Sequence, residues 1–142
     1  MKFNTSILFL VYKNTKATEE VFNEISKLKP LKLYIAADGP KDSSEQKECF
    51  DVRAITENID WECKVHRRYL DDNLGCKEAV SSAISWLFEN EERGIILEYD
   101  CLPHQSFFTF CESILDKYDN NESIMHISGS NAQDGLIRGS GS

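Results

Sequence analysis

Gly94-Ile95-Ile96-Leu97-Glu98-Tyr99-Asp100-Cys101-Leu102-Pro103 is the stretch whose reading decides the fold. An apolar run opened by glycine and closed by proline reads as a short buried strand. It ends in two carboxylates, at the position where an open α/β sheet holds its ligands. Carboxylate oxygens are hard donors that suit Mg²⁺ or Mn²⁺, and through the cation a diphosphate. Residues two apart on a strand share a face, so Glu98 and Asp100 converge if the strand persists to Asp100. The plain alternative is a pair of solvated loop residues or helix caps, because acids are common at strand exits.

Working outward, strand and helix patterns alternate along the whole chain. Ile7 to Tyr12 is a continuous apolar run and predicts a strand buried on both faces. Thr18 is placed to cap the next helix, with Val21, Ile25 and Leu28 on its buried side and Pro30 ending it. Lys32 to Ala37 predicts a second strand, and Asp38-Gly39-Pro40 a turn. Ser43 or Ser44 is expected to open a helix with Cys49, Phe50, Val52 and Ile55 apolar, and Trp61 to Tyr69 a third strand. After the polar turn Asp71-Asp72-Asn73-Leu74-Gly75, a helix is predicted from about Lys77 to Asn90. The fourth strand is Gly94 to Glu98. Ser106 then caps a helix carrying Phe107, Phe110, Cys111, Ile114 and Leu115, and Ile124 to Ile127 makes a fifth strand. Such alternation predicts an α/β fold, a Rossmann-like three-layer α/β/α arrangement around a mostly parallel sheet.

The chain has 142 residues, the size of one ordinary domain, and a formal net charge of -8. That charge argues against nucleic acid or an anionic lipid surface as the main partner. It leaves a nucleotide open, since a bound cation neutralises phosphates locally. The five cysteines are odd in number and form no CxxC pair, which favours reduced thiols over disulfides or zinc. The first apolar run is too short to span a membrane and no small-residue cleavage site follows it, so a cytoplasmic location is expected. Nothing after Ile127 reads as a finished sheet edge, so the chain is expected to stop partway through a larger domain. The Gly/Ser-rich tail ending Arg138-Gly139-Ser140-Gly141-Ser142 is also open to reading as a cloning remnant.

Two further stretches carry candidate chemistry. Asp38 in Ala36-Ala37-Asp38-Gly39-Pro40 can accept a hydrogen bond from a base or ribose; alternatively it simply forms the turn before Gly-Pro. In Asp72-Asn73-Leu74-Gly75-Cys76-Lys77, Gly75 lets backbone approach a ligand, and a helix N-terminus beside Lys77 favours phosphate. The alternative is a strand-to-helix turn with one solvated lysine. His66, His104 and His126 have no paired ligand spacing, and no Ser-His-Asp arrangement, P-loop or GxGxxG is present. Cys76 and Cys101 lie near the expected site, where free thiols usually just pack.

Taken in order, Ala37-Asp38-Gly39-Pro40, Asp72-Asn73-Leu74-Gly75-Cys76, Ile95 to Pro103, Ser106-Phe107-Phe108 and Met125 to Asn131 resemble one known family. It is the bacterial glycosyltransferases of the GT-A, nucleotide-diphospho-sugar transferase fold, family 2-like. The block from Gly94 to Phe108 is the most specific part. Gln133-Asp134-Gly135 and Arg138-Gly139 also resemble that family's continuing sequence. The resemblance implies an N-terminal nucleotide-binding half, with the acceptor-binding half missing. It places Asp38 at the nucleotide base and Tyr12 and Lys13 in the first strand-exit loop lining the base pocket. Lys77 falls near the diphosphate side of the site, and Asn73 and Gly75 are expected among the nucleotide-sugar-binding residues. Glu98, Tyr99 and Asp100 match the acidic triplet, with Asp100 as the metal ligand and Glu98 beside it. The family commonly has an acid where Tyr99 stands, and that departure bears on metal affinity and activity.

The expected function is therefore sugar transfer from a nucleotide diphosphate-sugar donor to a hydroxyl of a saccharide or glycolipid acceptor. Mn²⁺ or Mg²⁺ would be the cofactor, and the catalytic base is expected beyond Ser142, so this portion alone would be inactive. Polysaccharide biosynthesis, with peripheral membrane contact through the missing part, is what the resemblance implies. Two rivals remain: a non-catalytic nucleotide-sugar-binding scaffold, motivated by Tyr99, and a phosphoacceptor signalling domain. The second needs acids at the end of the first strand, where Tyr12-Lys13-Asn14 stands.

Overall fold

The computed structural model describes residues 3–117 and 127–128. The elements run β1 (Ile7–Val11), α1 (Thr15–Leu28), β2 (Lys32–Ala37), a 3₁₀ turn (Ser43–Glu45), α2 (Gln46–Ile55) and β3 (Lys64–Tyr69). They continue with α3 (Cys76–Asn90), β4 (Ile95–Glu98), α4 (Gln105–Lys117) and β5 (Ile127–Ser128). The sheet is wholly parallel in the order β3-β2-β1-β4-β5, its last strand two residues long.

The alternation of side chains along each strand builds two cores. Ile7, Phe9, Val11, Leu33, Ile35, Ala37, Ile95 and Leu97 face one way, onto Val21, Phe22 and Ile25 of α1, Val52 of α2 and Phe108, Cys111 and Leu115 of α4. Leu8, Leu10, Tyr34, Ala36 and Ile96 face the other way, onto Ala83 and Leu87 of α3. A sheet covered on both faces needs apolar residues at every position, so β1, β2 and β4 read as unbroken apolar runs. The expected α/β architecture with helices on both faces is what the chain adopts. Among the described residues no helix is long and apolar enough to cross a membrane.

Several local expectations are corrected. Asn14, not Thr18, caps α1: its side chain accepts from the Ala17 amide at 3.1 Å. Thr18 lies fully buried inside the helix with no partner for its hydroxyl. Phe50 and Phe110 point to solvent, 71% and 59% exposed, because their helices bury other faces. β3 begins at Lys64, since Trp61 turns away to donate its indole N–H to the Pro30 carbonyl at 2.9 Å. α4 starts at Gln105, which puts Ser106 inside its first turn rather than at the cap. Ile124 to His126 lie outside the described residues.

Candidate functional site

The chain leaves β1 towards β2 on one side and reaches β4 on the other. The strand order therefore reverses between β1 and β4, and ligands of open α/β sheets bind in the crevice outside the strand ends at such a reversal. A cleft of about 330 Å³ opens there, in the size range of small-molecule sites. Its floor is a single row across the sheet. Ala36 pairs with Arg68, Leu10 with Ala36, and Leu10 with Glu98. Side chains in register on neighbouring parallel strands share a face, so the row runs Arg68, Ala36, Leu10, Glu98 on the side of α3. A guanidinium stands at one end and a carboxylate at the other. Three strand spacings of about 4.8 Å separate their backbones by roughly 14 Å, too far for the two to neutralise each other.

Neither end group has a partner among the described residues. Glu98 is half-buried, and burial, then the neighbouring Asp100, pushes its carboxyl above the usual range. Over the row lies the start of α3, where Gly75, Cys76, Ala79 and Val80 line the cleft. The first amides of a helix lack intrahelical acceptors and carry partial positive charge. Gly75 caps this end with φ 88°, a left-handed backbone that other residues rarely adopt.

The acidic end is built differently from the expectation. β4 stops at Glu98, and Tyr99 and Asp100 form a turn closed by the Cys101 amide on the Glu98 carbonyl at 3.1 Å. Strand pleating therefore does not align Glu98 with Asp100. The turn brings them together instead: carboxylate oxygens of both and the Cys101 sulfur lie within 4.8 Å of one another. The Cys101 thiol donates to the Asp100 carboxylate at 3.5 Å. Glu98 and Tyr99 line the cleft, whereas Asp100 is exposed beside it. Tyr99 is half-buried, and burial, then Asp100, raises its phenol pKa.

The remaining expected residues divide. Tyr12, Asp38, Asn73 and Gly75 line the cleft. Tyr12 donates its hydroxyl to Glu45, and Lys13 outside the cleft pairs with the same carboxylate at 2.8 Å. The Lys41 amide adds a third donor at 2.9 Å. Glu45 thus ties the β1 exit to the 3₁₀ turn, and Lys13, Tyr12 and Lys41 together lower its pKa to about 2. Lys77 is exposed in the first turn of α3 and does not line the cleft. Its place as the cleft cation is taken by Arg68 and Lys41, which the sequence reading missed. Arg68 reaches the cleft because β3 pairs it with Ala36, in the row that continues through Leu10 to Glu98.

Comparison with protein-family models, curated proteins and solved structures returned no match.

Proposed function

We propose that this chain is the nucleotide-binding portion of a GT-A-type glycosyltransferase that takes a nucleotide diphosphate-sugar as donor and a saccharide or glycolipid hydroxyl as acceptor. The observation that carries the proposal is the row of Arg68, Ala36, Leu10 and Glu98 at the switch point, with opposite charges at its two ends that pair with nothing among the described residues. A nucleoside whose flat base lies over Leu10 and Ala36, with its diphosphate towards Glu98, fits that floor. The resemblance of the strand-exit motifs supports the same reading.

The donor set fits a hard divalent cation. Glu98 is a half-buried carboxylate that accepts no side-chain hydrogen bond among the described residues, and Asp100 approaches it closely enough to share an ion. Glu98 and Asp100 would hold Mn²⁺ or Mg²⁺; the Cys101 thiol is soft and suits neither. The cation would supply Lewis-acid stabilisation of charge on the leaving diphosphate. With the diphosphate at that end, the nucleoside lies over Leu10 and Ala36 towards Arg68, whose guanidinium offers only donors. Tyr12 forms a wall whose hydroxyl is already held by Glu45, so its ring presents a fixed face. Gly75 and Cys76 line the cleft at the start of α3, so the opening amides of the helix would add positive potential there.

The test is a thermal-shift panel of nucleotide diphosphates with and without Mn²⁺, since a ligand that binds only the folded state raises Tm. At least one diphosphate is expected to raise Tm with Mn²⁺ present, and Asp100→Ala is expected to remove that dependence. If Asp100→Ala leaves Mn²⁺-dependent binding intact, the metal assignment is wrong. Tyr99 in place of an acid favours the non-catalytic scaffold as a second reading. Donor hydrolysis by the wild-type protein would end that second reading.

A further inference from the structure

The cleft's β2 and β3 exits are joined by a polar weld. The Asp38 carboxylate, 6% exposed, accepts from the Gly39 amide at 2.8 Å and the Leu74 amide at 2.9 Å on Oδ1. Its Oδ2 accepts from the Asn73 amide group at 3.1 Å. Asn73 Nδ2 also donates to the Gly39 carbonyl at 2.8 Å. From below, Arg53 of α2 donates through one nitrogen to the Asp38 carbonyl at 3.3 Å and the Leu70 carbonyl at 2.6 Å. Its guanidinium lies over the Tyr69 ring at 4.9 Å. Gly39 completes the joint: a side chain there would meet the Asp71 and Asp72 backbone at 2.6–2.7 Å.

Three protein donors occupy a carboxylate that offers roughly four lone-pair positions. A group so committed and so buried is poorly placed to read a ligand. The segment it holds, Asp71 to Leu74, leads directly into Gly75 and the start of α3 over the cleft. We infer that Asp38, Asn73 and Arg53 are positioning residues: they lock the 71–75 segment so that the opening amides of α3 face the cleft, and recognition of the nucleobase falls to other groups. This inference rests on the proposed nucleotide site only for its binding consequences; the weld is a property of the unliganded protein.

The experiment compares Asp38→Asn, Asn73→Ala, the double variant and Arg53→Lys. Asn at 38 faces the Asn73 donor with a donor of its own, and Arg53→Lys alters a residue outside the cleft. Two measurements are made: hydrogen exchange across 70–76 in the unliganded protein, and Mn²⁺-dependent binding of UDP, CDP, GDP and ADP. Each single variant is expected to speed exchange at 70–76 and the double to be non-additive, because the two side chains share one bond. Diphosphate affinity is expected to fall roughly ten-fold by the same factor for every base. Arg53→Lys is expected to reproduce the loss in smaller measure. Two results would overturn the inference: a loss at Asp38→Asn that depends on the base while exchange is unchanged, or faster exchange with binding intact. If wild type binds no nucleotide diphosphate, the proposed function fails, while unchanged exchange in all variants would separately sink the weld.

Discussion

Gly39→Ala probes the weld without touching a charged group. The added methyl carbon would sit 2.6 Å from the Asp72 carbonyl carbon, 2.7 Å from that of Asp71 and 2.7 Å from the Asp72 oxygen, where ordinary contact begins near 3.4 Å. All three are backbone atoms, so no side chain can swing away. The 71–72 backbone has to retreat by roughly an ångström, and that segment is tied by the Leu74 amide at 2.9 Å and by Asn73 at 2.8 Å. Moving those bonds out by about an ångström takes them beyond hydrogen-bonding range. Losing two such bonds, one of them to a carboxylate, costs about 2–4 kcal/mol. That is a large share of the ~5–15 kcal/mol that holds a domain together. Urea unfolding followed by tryptophan fluorescence measures it, with amide exchange at Leu74 reporting the joint itself. A loss below about 0.5 kcal/mol with Leu74 still protected would show that the two exits slide freely, and the weld would not exist as described.

Arg68→Ala is expected to weaken nucleotide-diphosphate binding about ten-fold or more, because hydrogen bonds to a charged group contribute about 1.5–3 kcal/mol. Calorimetry with and without Mn²⁺ checks it, and unchanged affinity would remove Arg68 from the site. Glu45 carries a folded pKa of about 2 against an ordinary value of 4.5. A lowered carboxylate stabilises the fold above its unfolded pKa, and the contribution disappears as pH falls from about 4.5 to about 2. Glu45→Gln should therefore flatten the acid limb of stability in that window while changing little of its slope near neutrality. Thr18→Val should stabilise by about 1 kcal/mol, since it removes a buried hydroxyl that has no partner and keeps the side-chain shape; a lower urea midpoint would contradict that.

How much could be read in advance depended on which physical signal each feature uses. The strands facing helices on both sides show as unbroken apolar runs, so β1, β2 and β4 were placed almost to the residue. β2 in particular runs Lys32–Ala37 as expected. Turn geometry was less legible. Asn14 caps α1 from a left-handed backbone at φ 89°, a conformation invisible to residue spacing. Phe50 reads as apolar on α2, and only packing shows which face of that helix is buried. At the site, the acids were found because their residue types stand out. The partners that decide what those acids do were not, because Asp38 meets Leu74 across 36 residues and Tyr12 meets Glu45 across 33. Lys77 was named because it follows a glycine turn, yet the first turn of α3 points it to solvent. Arg68 comes instead from cross-strand register, which alternation along one strand cannot reveal.

The charge arrangement makes binding through the two ends of the cleft separable. At the β4 end, Glu98 and Asp100 together would repel a bare diphosphate, and no cationic side chain among the described residues pairs with either. A diphosphate there would require a cation, so the proposed Mn²⁺-dependent affinity would have to pass through Asp100. At the β3 end, Arg68 has no ion-pair partner among the described residues and needs no metal to attract an anion. Without Mn²⁺, residual affinity for a diphosphate should therefore depend on Arg68 and ignore Asp100→Ala. With Mn²⁺ present, the order should invert, Asp100→Ala costing more than Arg68→Ala. A titration in which Arg68→Ala changes affinity neither with nor without metal would mean that the two ends do not act on one ligand. The row from Arg68 to Glu98 would then be a feature of the sheet alone.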